Sequence, residues 1–279
     1  MSETARFFLL QTTLIAVVLV MHTYIGLHII RRTLIFSDLV LDQLAAFGAL
    51  IGVGLGVQYG SAGSYAAAMA VVLVGAGLLA LIKPTGSAIP REAVIGILYV
   101  LALGLTLLLG DKLQGGASYV TKALSGAMLW VSWPLVGVTA FVYISLSVFH
   151  YKLRHRFIML AQEPHKLKNE KLWDFLLFTT QGIITVLIVP IAGVLLAYAF
   201  LMIPAAIAAM FTTKWTPAVV LGWSVGFVAC MIGLSSSYFF NLPYSPSIIL
   251  SLGAFFVFAV AMRCLLGRND APAAGGGYK

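Results

Sequence analysis

Arg31-Arg32-Thr33-Leu34-Ile35-Phe36-Ser37-Asp38-Leu39-Val40-Leu41-Asp42-Gln43-Leu44-Ala45-Ala46-Phe47-Gly48 decides how the rest of the chain is read. A basic pair opens the stretch, and an apolar run holding two carboxylates follows. From Leu39 to Ile82, Asp42 is the only side chain expected to carry charge near neutral pH. Apolar runs of about 20 residues are long enough to cross a bilayer. A carboxylate inside one costs about 3 kcal/mol and marks a functional position. Spacing i, i+4 puts Asp38 and Asp42 on one face of a helix. At about 6 Å and an effective dielectric near 20, two such charges repel by roughly 3 kcal/mol. A cation between them removes the conflict, so the pair reads as a cation site within a membrane.

The whole chain fits that setting. Of its 279 residues, 61% are hydrophobic and 9% charged, with a mean hydropathy of +1.02. Soluble domains carry about 25% charged residues. An all-α polytopic membrane protein is expected, with nine spans near 7–27, 40–58, 64–82, 93–110, 123–149, 174–189, 191–211, 217–238 and 246–266. Eight remain possible if 174–211 crosses once. The first is read as a retained span, because its apolar run is too long for a cleaved signal. Residues 1–267 form the transmembrane domain. Residues 268–279, with Ala271-Pro272-Ala273-Ala274-Gly275-Gly276-Gly277, read as a disordered cytoplasmic tail.

The net charge of +8 is laid out by membrane side and points to no nucleic acid. With nine spans and the N-terminus outside, fourteen Lys and Arg fall inside, and only Arg6, Lys112 and Lys122 fall outside. The positive-inside rule then orients the chain N-out, C-in, in the inner (cytoplasmic) membrane. A single crossing by 174–211 would spoil this asymmetry, so two crossings with a tight turn near Pro190 are expected. Cys230 and Cys264 lie within apolar spans and read as packing residues, not as a disulfide.

Other polar residues divide into plain and functional readings. Asp38 could cap the helix that begins beside it, but Asp42 lies a full turn inside. Asp42 could instead be neutral, or paired with Arg31 or Arg32. Its hard oxygens and the adjacent Gln43 amide suit a divalent cation. His22, inside the first span, is a possible further ligand or a hydrogen-bonded packing residue. His28 reads as a surface residue at the water boundary, and Glu92 as a helix-start carboxylate. The one long polar segment runs from His150 to Asp174. It is either a solvated basic loop or a docking element for a cytoplasmic partner. Four consecutive apolar residues, Phe157-Ile158-Met159-Leu160, favour docking through that tetrapeptide. The chain carries no Walker A loop, G-x-S-x-G or H-E-x-x-H motif. It reads as a transport protein without enzymatic activity or a bound cofactor, with a divalent ion as cargo.

Four stretches resemble the transmembrane permease subunit of the ABC importers for zinc, manganese and iron. The basic pair and the Asp38–Gln43 run resemble that family's G-D-A-L-S-H-A-like region. Ala93-Val94-Ile95-Gly96-Ile97 resembles the opening of its fourth span. The ungapped stretch from Ala192 to Ala208 resembles its V-G-x-L-L-x-x-A-L-L-I-x-P-A-A-x-A segment. Ser237 to Pro246 resembles its S-Y-x-x-D-L-P-x-G-P segment. The resemblance covers nearly the whole chain. It implies a homodimer or heterodimer of permeases in lipid, a cytoplasmic ABC ATPase subunit and an extracytoplasmic metal-binding protein. It also implies that Asp38 matches the family's metal-binding Asp. Asp42 stands where that family has His, which shifts preference from zinc toward manganese or ferrous iron. The segment between spans five and six is longer and more basic than in that family. Two rival readings stand beside this one. One is a stand-alone ion-coupled secondary transporter using Asp42, although paired broken helices are not evident. The other is a membrane anchor without transport activity, which leaves Asp42 unexplained.

Overall fold

The computed structural model describes residues 2–82, 89–126 and 131–266. The expected disordered tail at 268–279 lies outside them. Among the described residues, ten α-helices follow one another: α1 (Glu3–Arg31), α2 (Phe36–Gly54), α3 (Ala62–Leu81), α4 (Arg91–Lys112), α5 (Gly116–Ser125), α6 (Trp133–Lys152), α7 (Arg154–Gln162), α8 (Glu170–Phe211), α9 (Trp215–Phe240) and α10 (Tyr244–Leu266). Eight of them are long and apolar enough to cross a membrane, all but α5 and α7.

The 42-residue α8 is two segments. Gly193 breaks it with φ 80° and ψ 161°, a conformation open essentially to glycine alone. Contacts at its two ends show that the chain doubles back there. Near its start, Asp174 pairs with Arg32. Just past its end, the Thr213 carbonyl accepts from Arg31. Both partners lie at the C-terminal end of α1, so α8 leaves that end and returns to it. The eight helices thus supply nine crossing segments. The reversal falls three residues after Pro190, where the turn was expected. Pro190 frees one carbonyl but keeps helical geometry, and the glycine makes the turn. Gly193 also meets Gly126, which has φ 77° and ends α5. A Cβ at 193 would run into the backbone of Leu124 to Gly126. Gly193→Val is therefore expected to lose about 3 kcal/mol or more, from backbone strain plus overpacking. A collapse in the folded fraction on size-exclusion chromatography would register the loss.

Span five begins later than the sequence suggested. The 123–149 stretch divides into the end of α5 and α6, which starts at Trp133. The left-handed Gly126 stops α5 after ten residues. Apolar content alone does not reveal that stop.

Central and peripheral helices differ in burial. In the most apolar windows of α1, α2 and α8, 67–72% of residues are buried, against 17–22% in α4, α6 and α10. The latter turn large apolar side chains outward, among them Leu101, Leu108, Phe141 and Phe258. Such faces suit lipid or another membrane helix. Close helix approach depends on glycine, as expected where lipid removes most of the hydrophobic drive. Gly26 of α1 abuts the Leu201 carbonyl and Ala205, and Gly222 and Gly226 of α9 abut Pro204. Cys230 is buried and Cys264 exposed, both as free thiols.

The N-terminal end of α1 meets the α9–α10 turn, where Tyr238 packs on Phe7 and Phe8 and Tyr244 bonds Gln11. The start of α1 and the end of α10 consequently lie at opposite ends of the bundle. Arg31, Arg32, Arg91 and α7 gather at one end, called here the basic end. Lys112 and Lys122 lie at the other.

Candidate functional site

α2 starts at Phe36, whose backbone N–H donates to Glu92 Oε1 at 2.8 Å. Glu92 thus caps α2 across a helix interface as well as opening its own helix. Asp38 sits in the first turn of α2 and makes no capping bond. One turn on comes Asp42. Their side chains point into the bundle and are buried, at 2% and 1% exposure.

The opposing wall is the first half of α8, which runs parallel to α2 from the basic end. It faces the carboxylates with matching one-turn spacing. Gln181 Nε2 donates to Asp38 Oδ1 at 2.8 Å, and the Thr185 hydroxyl faces Asp42. From a third side, Tyr143 of α6 places its ring within electrostatic reach of both carboxylates. Its hydroxyl lies 3.4 Å from the Ile184 carbonyl. The cage is drawn from α2, α6 and α8 of a single chain.

Polar accounting inside the cage is uneven. Asp38 Oδ2, both Asp42 oxygens and Gln181 Oε1 are buried without a well-formed hydrogen bond. Such groups are ordinarily satisfied, and leaving one bare costs about 1–3 kcal/mol. Every one of them is an acceptor. Unsatisfied acceptor oxygens on two neighbouring helices complement a hard cation.

The structure brings together only part of the sequence-derived set. Asp38 and Asp42 share a face as expected. Neither pairs with Arg31 or Arg32: Arg31 lies 4.0 Å over the Trp215 ring, and Arg32 bonds Asp174. Gln43 points elsewhere. Adjacent helical residues are rotated by about 100°, and its amide donates to Thr106 of α4 at 2.8 Å. His22 reaches the pair only through Tyr143, on which it stacks with centroids 5.8 Å apart. Its Nδ1 faces the Val18 carbonyl at 3.1 Å, so that nitrogen carries the proton. Gln181 and Thr185 escaped the sequence reading. The only signal was the polar run Thr179-Thr180-Gln181 interrupting an apolar span.

Below the cage, Asp174 lies two turns before Gln181, or about 10 Å along the helix. It is fully buried between Arg32 and Arg91, whose Nη2 lies 3.5 Å from Oδ2. Arg91 also donates to the Leu79 carbonyl at 2.7 Å. This cluster ties α1, α3, α4 and α8 together at the basic end. Beside it a cleft of about 300 Å³ is lined by Arg32, Arg91, Glu92, Leu160, Pro164 and Glu170.

α7 occupies the same end, followed by a 3-10 turn at Pro164–Lys166. Its apolar tetrapeptide is not a uniform outer face. Phe157 and Leu160 are fully buried, while Ile158 and Met159 are half-buried. Phe157 stacks on His150 at 4.1 Å and meets Trp173 edge-on at 5.5 Å. His28 is also buried there, against Trp215 at 4.4 Å, and not at the surface as expected. The tetrapeptide is thus explained first by anchoring α7 to the bundle. Phe157→Ser is expected to destabilise the protein by about 3–5 kcal/mol, as for other buried aromatic deletions, with a lower thermal midpoint in detergent. Arg154, His155 and Arg156 are exposed, so Arg156→Ala should leave that midpoint unchanged.

The fold is that of a polytopic helical membrane protein, with a buried carboxylate pair in its core. The chain belongs to the ABC 3 transport family, whose model matches residues 5–263. An uncharacterized membrane protein of Synechocystis is 26% identical over 180 residues, covering 62% of this chain and 63% of that one. The manganese transport system membrane protein MntC of Listeria monocytogenes is 29% identical over 172 residues, covering 59% and 60%. The chain spans about three-fifths of the length of the curated relatives it matches. Among solved structures, PsaBC from Streptococcus pneumoniae in complex with Fab has a chain of the same fold. Its TM-score is 0.76 at 20% identity, covering 93% of this chain and 95% of that one.

Proposed function

We propose that this chain is the permease subunit of an ATP-driven importer for a divalent metal ion, with manganese or ferrous iron favoured over zinc. The observation that carries the reading is the buried Asp38–Asp42 pair, three of whose four oxygens lack a well-formed hydrogen bond, in a bundle of the ABC 3 transport family. The likeness to MntC supports manganese as the first ion to test. Oxygen-only donors suit manganese and ferrous iron better than the softer sites that zinc prefers. The permease itself performs no hydrolysis. A cytoplasmic ABC ATPase subunit supplies ATP turnover and contacts the exposed side of α7. An extracytoplasmic metal-binding protein delivers the ion at the opposite end, and a second permease subunit completes the pore. The charge asymmetry supports a cytoplasmic basic end. In this scheme the ion enters from the end bearing Lys112 and Lys122 and pauses at Asp42 and Asp38. It leaves past Asp174 once ATP-driven movement of α7 loosens the arginine cluster. Binding at the cage must be weak enough to allow release.

Radioactive manganese uptake into proteoliposomes tests the proposal. With the permease, its ATPase and its binding protein reconstituted, uptake should require ATP. Uptake by the permease alone, driven by a proton or sodium gradient, would replace this reading with the secondary transporter that uses Asp42.

A further inference from the structure

Gln181 is fully buried, and its side-chain amide is used at one end only. Nε2 donates to Asp38, while Oε1 has no partner. The two ends of a primary amide are nearly identical in shape and opposite in polarity. Rotating the amide by half a turn exchanges donor for acceptor without repacking the helix. An anionic cage favours the N–H end toward Asp38. A dication held by Asp38 and Asp42 repels that end and attracts the carbonyl oxygen. We propose that Gln181 is a ligand of the transported cation, giving its carbonyl oxygen to the bound ion and its N–H to Asp38 when the ion has left.

This inference rests on the reading of Asp38 and Asp42 as the cation site and adds a ligand from a second helix. The placement has a consequence for coupling. Asp38 and Asp42 belong to α2, whereas Gln181 belongs to the same half-helix as Asp174, which the arginine cluster grips. An ion bound by both helices holds α2 and α8 together. The amide's return to donating replaces one of those links as the ion departs, so α2 and α8 stay joined through Asp38. The donor set becomes carboxylate plus carbonyl oxygen, the chemistry of hard divalent ions.

The test uses the full-length chain in lipid nanodiscs and measures manganese(II) affinity for the wild type, Gln181→Leu, Gln181→Glu and Asp42→Asn. Gln181→Leu removes the oxygen and should weaken binding about tenfold or more, the usual scale for groups that shape a metal site. Gln181→Glu supplies an oxygen at the same reach but cannot donate a proton when ionised, and it should bind manganese at least as tightly as the wild type. If Gln181 only positioned Asp38 through its N–H, the Glu variant would be as impaired as the Leu variant. That result, or wild-type affinity in Gln181→Leu, overturns the inference. Should Gln181→Leu fail to fold, the comparison of Gln181→Glu with the wild type decides alone, and a tenfold loss overturns it. Wild-type affinity in Asp42→Asn overturns the underlying site instead.

Discussion

Asp42→Asn is expected to reduce manganese uptake by at least about tenfold while the protein accumulates normally. The substitution keeps the shape of the side chain and removes its charge. Both carboxylate oxygens of Asp42 are buried without a well-formed hydrogen bond, so little structure depends on them. Replacing one bare acceptor by an amide also relieves the repulsion with Asp38. Stability should therefore be unchanged or slightly higher, while cation affinity falls on the 10- to 100-fold scale, roughly, known for altered metal sites. A variant that lost both uptake and folded protein would point to a structural role. Asp42→His is the complementary test. Imidazole is a softer ligand than carboxylate, so this variant should keep transport and shift preference toward zinc. Competition of zinc against radioactive manganese would measure the shift.

The second large effect lies at the basic end. Asp174→Asn leaves Arg32 and Arg91 facing each other in a buried setting, with Asp174 itself fully enclosed. Removing one partner from a buried ion pair costs about 3–5 kcal/mol, because the remaining charge is uncompensated. Arg91 is partly exposed, at 20%, so the lower end of that range is expected. Thermal unfolding in detergent should register a clear drop. Arg32→Met in the Asp174→Asn background should recover part of it, since the repulsion is then removed. A double variant no more stable than the single one would contradict the ion-cluster explanation.

Legibility in the sequence followed what each signal measures. Hydropathy located the spans, because bilayer thickness sets their length and lipid excludes charge. The lysine and arginine distribution identified 174–211 as a double crossing, and the reversal at Gly193 agrees. Span five was misplaced because Gly126 stops α5 by backbone conformation, which hydropathy does not register. Asp38 and Asp42 stood out as charges in an apolar run. Gln181 and Thr185 did not, since an uncharged polar residue is tolerated in many spans and their partners lie about 143 residues away. Gln43 was included by adjacency alone, and helical rotation carries it to Thr106. Read as part of a loop, Phe157 and Leu160 point to a partner, because a loop has no use for buried apolar side chains. The bundle buries both, and Phe157 packs on His150, Trp173 and His28 at the end of α1 to seat α7.

Anomalous diffraction from crystals soaked in manganese tests the central claim most directly. The account requires a peak inside the cage, about 2.2 Å from oxygens of Asp38 and Asp42, and its absence in Asp42→Asn. A peak only elsewhere, or one that persists unchanged in that variant, would contradict the assignment of this carboxylate pair as the cation site.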